Sequence, residues 1–171
     1  MKKIGISFLA LAALLSSHAT EVEPAVIENP ETNEAMSFNT RPNSAFAPGE
    51  KLVYRLSYGI FDAGEATLTV DEVDKQVHGR KLWRVRGIGK TISAFEWFYK
   101  VNDRYESYID AQGLFPWVFI RRVDEGGYKI SQDYAFKHDK YKVNNGKKDF
   151  TIPMGIQDMV SSFYYARTLN F

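Results

Sequence analysis

The stretch KLVYRLSYGIFDAGEATLTV, residues 51–70, decides the fold. From Lys51 to Tyr58, apolar and polar side chains alternate with a period of two, which is typical of a strand with one buried face. Asp62-Ala63-Gly64 predicts a turn, and the same alternation from Glu65 to Val73 predicts the returning antiparallel strand. Two such strands joined by a short hairpin indicate an antiparallel sheet with one apolar face.

The same signal recurs along the chain and predicts a mainly β domain. Further strands are expected at Lys81 to Ile88, Asp103 to Asp110, Trp117 to Val123, Tyr128 to Phe136 and around Tyr141 and Val143. Glu125-Gly126-Gly127 predicts a tight hairpin, because glycine adopts positive φ without strain. Strands this short and this evenly spaced predict an antiparallel, meandering sheet that is strongly curved or partly closed.

One amphipathic helix is predicted at the carboxyl end. Between Gly155 and Leu169, apolar side chains recur at i, i+3, i+4, i+7 and i+8, starting from Ile156, and form a single stripe. The aromatic segment Ile92 to Tyr99 has no clear period. We interpret that segment as a short helix or as a connector that packs over an open end of the sheet.

The first nineteen residues have the features of an export signal. Lys2 and Lys3 are followed by a twelve-residue apolar run at 4–15, and Ser17-His18-Ala19 places small residues at −3 and −1 before Thr20. The run is shorter than the roughly 20 residues of a spanning helix, so a cleaved signal is preferred over an anchor. The chain has no cysteine, which excludes acylation at the cleavage point, disulfides and cysteine-ligated metals. We expect an exported protein, periplasmic or secreted, that is not a lipoprotein and has no transmembrane span after cleavage.

The predicted organisation is a signal peptide at 1–19, a flexible acidic lead at 20–48 and a single β-rich domain at 49–171. Four prolines and five glutamates punctuate the lead, which has little apolar periodicity. Cleavage removes two of the 22 basic residues and none of the 21 acidic ones, so the remaining 152 residues have a net charge of −1. This near-neutral balance gives no case for binding nucleic acid.

No motif in the sequence identifies an enzyme. His78 and His138 lie in polar, turn-like contexts, which predict solvated loop residues rather than a catalytic base or metal ligands. The run Gly87-Ile88-Gly89-Lys90-Thr91 lacks the earlier glycine of a phosphate-binding loop, and no G-x-S-x-G occurs. No catalytic residue, cofactor or metal site is predicted. Five acids remain as candidates for the carboxylate pair of a sugar hydrolase: Asp62, Glu65, Glu96, Asp103 and Glu106.

Aromatic residues make up 15% of the chain and are expected to be mostly core. The alternative is a concave, aromatic-lined groove for an apolar or glycan ligand. The candidate ligand-binding residues are Trp83, Trp97, Phe98, Tyr99, Trp117 and Arg167, with Phe95, Phe115 and Phe119 in the same aromatic cluster. On the predicted helix, Asp158, Ser161, Tyr164 and Arg167 are expected to bond the helix to loops or strands, and Arg167 is the one alternative ligand contact.

Several short motifs follow one another in order along the domain. They are Tyr54, Tyr58-Gly59, Ala63-Gly64-Glu65-Ala66, Val101 to Tyr108 with Asp103-Arg104-Tyr105-Glu106-Ser107, Pro116, Glu125-Gly126-Gly127 and Asp158-x-x-Ser161-x-x-Tyr164-x-x-Arg167. Over residues 46–171 their order and spacing resemble the exported bacterial family called domain of unknown function 3108. The resemblance implies export and a mostly β fold, and it offers no catalytic residue. It also implies further strands after the helix, so the domain is expected to be truncated at its carboxyl end.

Three functional hypotheses remain open at this point. The leading one is an uncharacterised, non-enzymatic cell-envelope protein whose curved β-sheet binds a hydrophobic or amphiphilic molecule such as a lipid. The second is a structural or protein-interaction module of the envelope, which binds a partner protein through open strand edges or the acidic lead. The third is a carboxylate-dependent glycan hydrolase.

Overall fold

The computed structural model describes residues 38–92 and 96–170. The strands are β1 (Lys51–Tyr58), β2 (Phe61–Val77), β3 (Arg80–Thr91), β4 (Asn102–Asp110), β5 (Pro116–Glu125), β6 (Tyr128–Lys137), β7 (Lys142–Asn144) and β8 (Asp149–Thr151). Each strand pairs antiparallel with its neighbour along the chain, in the order β1 to β8. Helix α1 (Met159–Ala166) follows β8. The prediction of a mainly β, antiparallel meander with one carboxyl-terminal helix is confirmed.

The expected strong curvature or partial closure of the sheet is not found. β1 and β8 lie at opposite edges of the strand order and do not pair with each other. Closing a sheet requires the first and last strands to form a ladder. Here β8 has three residues and β1 has eight, so the two edges do not match in length.

The first turn differs from the sequence prediction. The chain reverses at Gly59-Ile60, where Gly59 has a φ of 61°, and β2 already begins at Phe61. The predicted turn residues 62–64 therefore lie inside β2, with Gly64 opposite Leu56 of β1. A glycine that takes positive φ without strain is sufficient for the earlier reversal.

One face of the sheet is charged because strand residues alternate in direction. Ion pairs join neighbouring strands on this face: Arg84 to Asp71 at 2.9 Å, Arg86 to Glu106 at 3.7 Å, Arg122 to Asp133 at 2.6 Å and Lys129 to Asp124 at 3.5 Å. Partly exposed pairs of this kind each contribute about 0–1 kcal/mol to stability. This part of the face is therefore suited to contact with solvent, and the larger of the two buried clusters lies on the opposite, apolar face.

Helix α1 covers one half of the apolar face, which we call the covered half. Its residues Val160 and Tyr164 pack against Val70, Val85 and Ile109 of the central strands. Phe46, Leu114 and Phe119 complete this cluster, and Leu82, Phe115 and Trp117 form a second buried cluster. The rest of the apolar face, towards the β1–β2 turn, is the open half.

Asp158 sets the start of α1, four residues later than the predicted Gly155. Its Oδ1 accepts hydrogen bonds from the backbone N–H groups of Val160 and Ser161, both at 2.8 Å, and the Ser161 Oγ accepts from the Asp158 N–H at 2.8 Å. This reciprocal arrangement is a capping box. Ser107 of β4 donates to the Asp158 Oδ2 at 2.6 Å, which ties the helix to the sheet. Burial raises the pKa of Asp158, although these hydrogen bonds oppose the change.

Residues 38–48 lie within the predicted flexible lead, but they pack on the domain. Phe46 is buried, with its ring 4.7 Å from that of Tyr164. Arg41 donates to the Thr168 Oγ1 at 2.7 Å and to the Tyr165 hydroxyl at 3.0 Å. The periodicity of apolar residues in the sequence does not predict such a segment, because it is held by single side chains and not by a regular apolar face. The predicted signal peptide and residues 20–37 lie outside the described residues.

Candidate functional site

The open half of the apolar face forms a shallow trough floored by small residues. The floor consists of Gly64 and Ala66 of β2 and Gly87 and Gly89 of β3; the sides are Tyr54 and Leu56 of β1, Leu68 of β2 and Tyr105 of β4. The register places these residues in adjacent rows on one face of the sheet. We call this surface the open trough.

The space over Gly89, on the floor of the open trough, is open. A Cβ added at Gly89 would have no atom within 4 Å, and the backbone there does not have positive φ. At Gly87 the same Cβ would lie 3.1 Å from the Leu68 Cδ2, so that part of the floor is already filled. There is consequently unoccupied space over Gly89 into which another molecule or a larger side chain fits.

The β1 side of the open trough is apolar and accessible. Tyr54 is 44% exposed and Leu56 is 41% exposed. Four strands at the usual spacing span about 14 Å, which is wide enough for an alkyl chain to lie across the sheet. Contiguous exposed apolar surface of this kind is typical of a binding surface rather than of a solvated one.

A polar cluster lies on the same face, next to the open trough. It consists of Asp103, which is opposite Gly89, together with Tyr105, Arg121 and Glu125. Burial and the hydrogen bond with Asp103 raise the pKa of Glu125. Burial, followed by the charge of Asp103, raises the pKa of Tyr105. The Arg121 Nε is buried and has no hydrogen-bond partner within the described ranges. The cluster can therefore offer donors and acceptors to the polar end of an amphiphilic molecule.

The five candidate acids of a hydrolase mostly bind basic side chains. Asp62 pairs with Arg55 at 3.5 Å, Glu65 with Lys90 at 4.0 Å, and Glu106 with Arg86 and Arg104 at 3.7 and 3.3 Å; Glu96 is exposed. Asp103 lies beside Glu125, which the sequence hypothesis did not include, and burial together with this neighbour raises the pKa of Glu125. The geometry therefore does not favour glycan hydrolysis.

The six candidate ligand-binding residues lie in separate regions and do not form one groove. Trp83 packs at the core against Phe46, with ring centroids 5.9 Å apart, and Trp117 is buried in the second cluster. Trp97, Phe98 and Tyr99 lie on the β3–β4 connector, where Trp97 is 84% exposed. Arg167 follows α1. The connector includes the predicted aromatic Phe95, which lies outside the described residues.

Arg167 binds within the protein. Its Nη1 and Nη2 donate to the two Glu50 carboxylate oxygens at 2.6 and 2.8 Å, and Nη2 also donates to the Ala45 carbonyl at 2.9 Å. The hydrogen bond from Arg167 lowers the pKa of Glu50. This bidentate pair joins the end of α1 to the start of β1, as expected for a helix-bonding role.

The prediction that His138 is a solvated loop residue is wrong. Its side chain is fully buried, 4.6 Å from the Phe115 ring between centroids. The Nδ1 accepts from the Gly155 N–H at 3.3 Å, so the proton resides on Nε2, which donates to the Pro116 carbonyl at 2.7 Å. A short 3-10 turn (His138–Lys140) after β6 folds the side chain under the sheet. Burial lowers the pKa of His138, and the Pro116 hydrogen bond opposes this change.

We expect the stability of the protein to fall with pH below about 6.5 because of His138. The neutral ring is required in the folded state, so the unfolded chain binds the extra proton first; stability is complete above the ordinary pKa of 6.5 and is lost as the pH falls below it. Because a single proton is involved, the free energy of unfolding changes by at most about 1.4 kcal/mol per pH unit.

Urea unfolding at pH 7.5, 6.5 and 5.5 measures this dependence of the free energy of unfolding on pH. The slope decreases in His138→Gln, whereas His78→Gln at an exposed position leaves it unchanged; equal slopes in both variants contradict the assignment.

A cleft of about 240 Å³ lies beside the register shift in β2, outside the open trough. It is lined by Glu72, Val73, Asp74, Lys75, Gln76, Lys81, Leu82 and Trp83. This volume is below the about 300 Å³ at which small-molecule pockets begin, and charged side chains surround it. We therefore do not assign it as the site.

Two further findings limit the chemistry of the part of the chain that the structure describes. Within residues 38–92 and 96–170, no three His, Asp or Glu side chains are grouped so that they could hold a metal ion. In the same ranges, none of the helices has the length and apolar character needed to cross a membrane.

The open trough was missed by sequence reasoning. Its signal was the small residues at alternate positions, Gly64 with Ala66 and Gly87 with Gly89. Such a pattern shows that the small residues of one strand share a face of the sheet. It does not show which residues of the neighbouring strand lie opposite them, because that depends on the register. Only the pairing of Ala66 with Gly89 and of Tyr54 with Ala66 brings these positions together.

Comparison with known proteins gives one match. The family described as "Protein of unknown function (DUF3108)" matches residues 53–170, a range that contains the open trough and α1. No curated protein and no solved structure matches the chain.

Proposed function

Because the chain belongs to the family described as "Protein of unknown function (DUF3108)", which carries no assigned activity, we propose a function from its geometry: an exported, non-enzymatic envelope protein that binds an apolar or amphiphilic molecule in the open trough. One observation supports this proposal above all. Half of an apolar sheet face is covered by α1, and the other half has a floor of small residues with free space over Gly89.

The energetics favour an alkyl chain as the bound group. Each methylene that leaves water for an apolar surface contributes about 0.8 kcal/mol, so a chain of several methylenes over Gly89 and beside Leu56 gives useful affinity. A bound ligand would also shield the exposed Tyr54 and Leu56 side chains from water, and this burial contributes favourably to the free energy of binding. The polar cluster at Asp103 and Arg121 then lies where the head group of an amphiphile needs hydrogen bonds.

Export to the periplasm or the exterior is the second part of the proposal. Its support is the amino-terminal pattern of Lys2 and Lys3, the apolar run at 4–15 and the small residues before Thr20. An exported carrier of apolar molecules has a clear physical purpose, because such molecules do not cross an aqueous compartment unaided.

We expect Gly89→Leu to abolish binding of an acyl probe without unfolding the protein. The new side chain fills the free space over Gly89, and the backbone there accepts it without strain. The measurement is titration of a fluorescent C12 fatty acid into the full-length protein recovered from the exported fraction, and a loss of affinity of about tenfold or more is expected. Native mass spectrometry of the same fraction checks for a co-purified lipid.

The matched control is Lys90→Leu. It places the same side chain on the same strand, but on the charged face, where the Lys90 Nζ lies 4.0 Å from the Glu65 carboxylate. Binding is expected to be unchanged in this control. An affinity that Gly89→Leu leaves unchanged, or no probe binding by the parent protein, would overturn the proposed function.

A further inference from the structure

The two edges of the sheet are built differently. β7 and β8 have three residues each, and the turn between them has Lys147 and Lys148. Short strands with lysine nearby are a usual protection of a sheet edge against pairing. β1 at the other edge has eight residues and pairs only with β2 among the described strands. This second edge lacks the short length of the first, although it has two basic residues of its own, Lys51 and Arg55.

β1 also exposes apolar side chains on both faces of the sheet. Tyr54 and Leu56 point to the apolar face, and Val53, 52% exposed, points to the charged face. The register shift against β2 comes between Leu56 and Ser57, so the stretch from Leu52 to Leu56 is regular. A long, regular, apolar edge strand is a surface to which another strand can add.

The sequence of β1 is complementary to itself in one antiparallel register. If two copies pair about Tyr54, Leu52 faces Leu56 on the apolar face, Val53 faces Arg55 and Lys51 faces Ser57. Centring on Arg55 instead would place two arginines opposite each other, and centring on Val53 would place Lys51 opposite Arg55. Like charges directly opposite are destabilising in an antiparallel pair. Of these three registers, only the one centred on Tyr54 keeps like charges apart, and it overlaps most of β1, from Lys51 to Ser57.

We propose that the occupant of this edge is a second copy of the chain, joined β1 to β1 about a two-fold axis through Tyr54. The described strands of the two copies, eight from each, then form one continuous antiparallel sheet. Such an interface is closed, because each copy uses its one long edge. The two open troughs then lie side by side, with the Tyr54 and Leu56 side chains of both copies between them.

Single cysteines test the register directly, because the chain has none of its own. Opposed residues of an antiparallel pair have Cα atoms about 4.5–5.5 Å apart, a distance that suits a disulfide. We expect Tyr54→Cys in the full-length protein to form a covalent dimer on mild oxidation. Val53→Cys and Arg55→Cys are the controls and should form little, since neither position faces itself. Equal cross-linking of all three variants, or sedimentation as a monomer at all concentrations, would overturn the proposal.

A charge variant provides a second test without covalent chemistry. Tyr54→Lys places two ammonium groups opposite each other and is expected to weaken dimerisation by more than about tenfold in analytical ultracentrifugation. Phe150→Lys on β8, with a parent side chain of similar exposure at 40%, should leave the dimer intact. A dimer that survives Tyr54→Lys and is lost in Phe150→Lys contradicts the assignment. Gly89→Leu leaves this edge unaltered, so loss of ligand binding and loss of dimerisation are separate outcomes.

Discussion

Replacement of Asp110 by alanine is expected to lower the free energy of unfolding by about 3–5 kcal/mol, because it leaves a buried guanidinium without its partner. The Asp110 side chain is fully buried at the end of β4. Arg80 donates to both of its oxygens, from Nε at 2.6 Å and from Nη2 at 2.7 Å. The backbone N–H groups of Gln112 and Gly113 donate to it at 2.9 and 2.7 Å, and the Trp117 Nε1 at 3.3 Å.

The electrostatics of Asp110 agree with this expectation. Burial by itself raises the pKa of the carboxyl, but the hydrogen bonds from Arg80 and from the backbone of Gly113 and Gln112 outweigh it, and the net pKa is lowered. The folded state thus strongly prefers the charged form. Alanine removes an acceptor from several buried donors at once, and each unsatisfied donor adds to the cost.

Urea denaturation of Asp110→Ala and of Asp133→Ala measures the effect. Asp133 makes a similar bidentate pair with Arg122, at 2.6 and 3.1 Å, but its side chain is 61% exposed. An exposed pair contributes about 0–1 kcal/mol, so the control should lose little. A loss below about 1 kcal/mol in Asp110→Ala would show that this carboxylate does not hold the β4–β5 turn.

We also expect Phe46→Ala to lower the free energy of unfolding by about 3–5 kcal/mol, the usual cost of removing a buried phenyl ring. The Phe46 ring fills the space between α1 and the sheet, in contact with Tyr164 and Trp83. The Arg167 guanidinium also lies 5.6 Å from its centre. We expect the cavity to stay open, because Ser107 holds the start of α1 and the ladders with β2 and β4 hold β3.

Phe61→Ala is the matched control, since Phe61 is a phenylalanine of the same chain that is 61% exposed. It should change stability by less than about 0.5 kcal/mol. Equally small decreases in the free energy of unfolding of the two variants would mean that residues 38–48 do not stabilise the domain, as the composition of that stretch suggested. A large decrease in Phe46→Ala alone would show that this segment is part of the folded domain.

The alternation of apolar and polar residues was the sequence pattern that best predicted the strands. Lys51 to Tyr58 alternates over a full strand, and the structure has β1 at Lys51–Tyr58. Alternation also separates the charged face from the apolar one, because the period of two is a local property of the strand. The curvature of a sheet has no such local signal in the sequence. The prediction that the sheet is strongly curved or partly closed was wrong.

The sequence did not predict the burial of single side chains whose partners are distant in sequence. Phe46 lies in a proline-punctuated stretch without periodicity and His138 in a polar turn sequence, and neither pattern predicts a buried side chain. Their burial depends on α1 and on the turn after β6. The aromatic candidates lie apart for a related reason: Trp83 and Trp117 pack in two different buried clusters and Trp97 lies on the β3–β4 connector, which their order in the sequence does not reveal.

The order of the strands has a consequence for how the chain acquires its structure. Every strand pairs with the next along the chain, so the sheet can grow one hairpin at a time from contacts of short range. The core cannot, because Arg41 reaches Thr168 across 127 residues and Arg167 reaches Glu50 across 117. Closing those loops costs conformational entropy, so we expect these contacts to form after the hairpins. A chain synthesised from its amino end can therefore form its hairpins one by one, whereas the core of the covered half is completed only once α1 is available to pack on it.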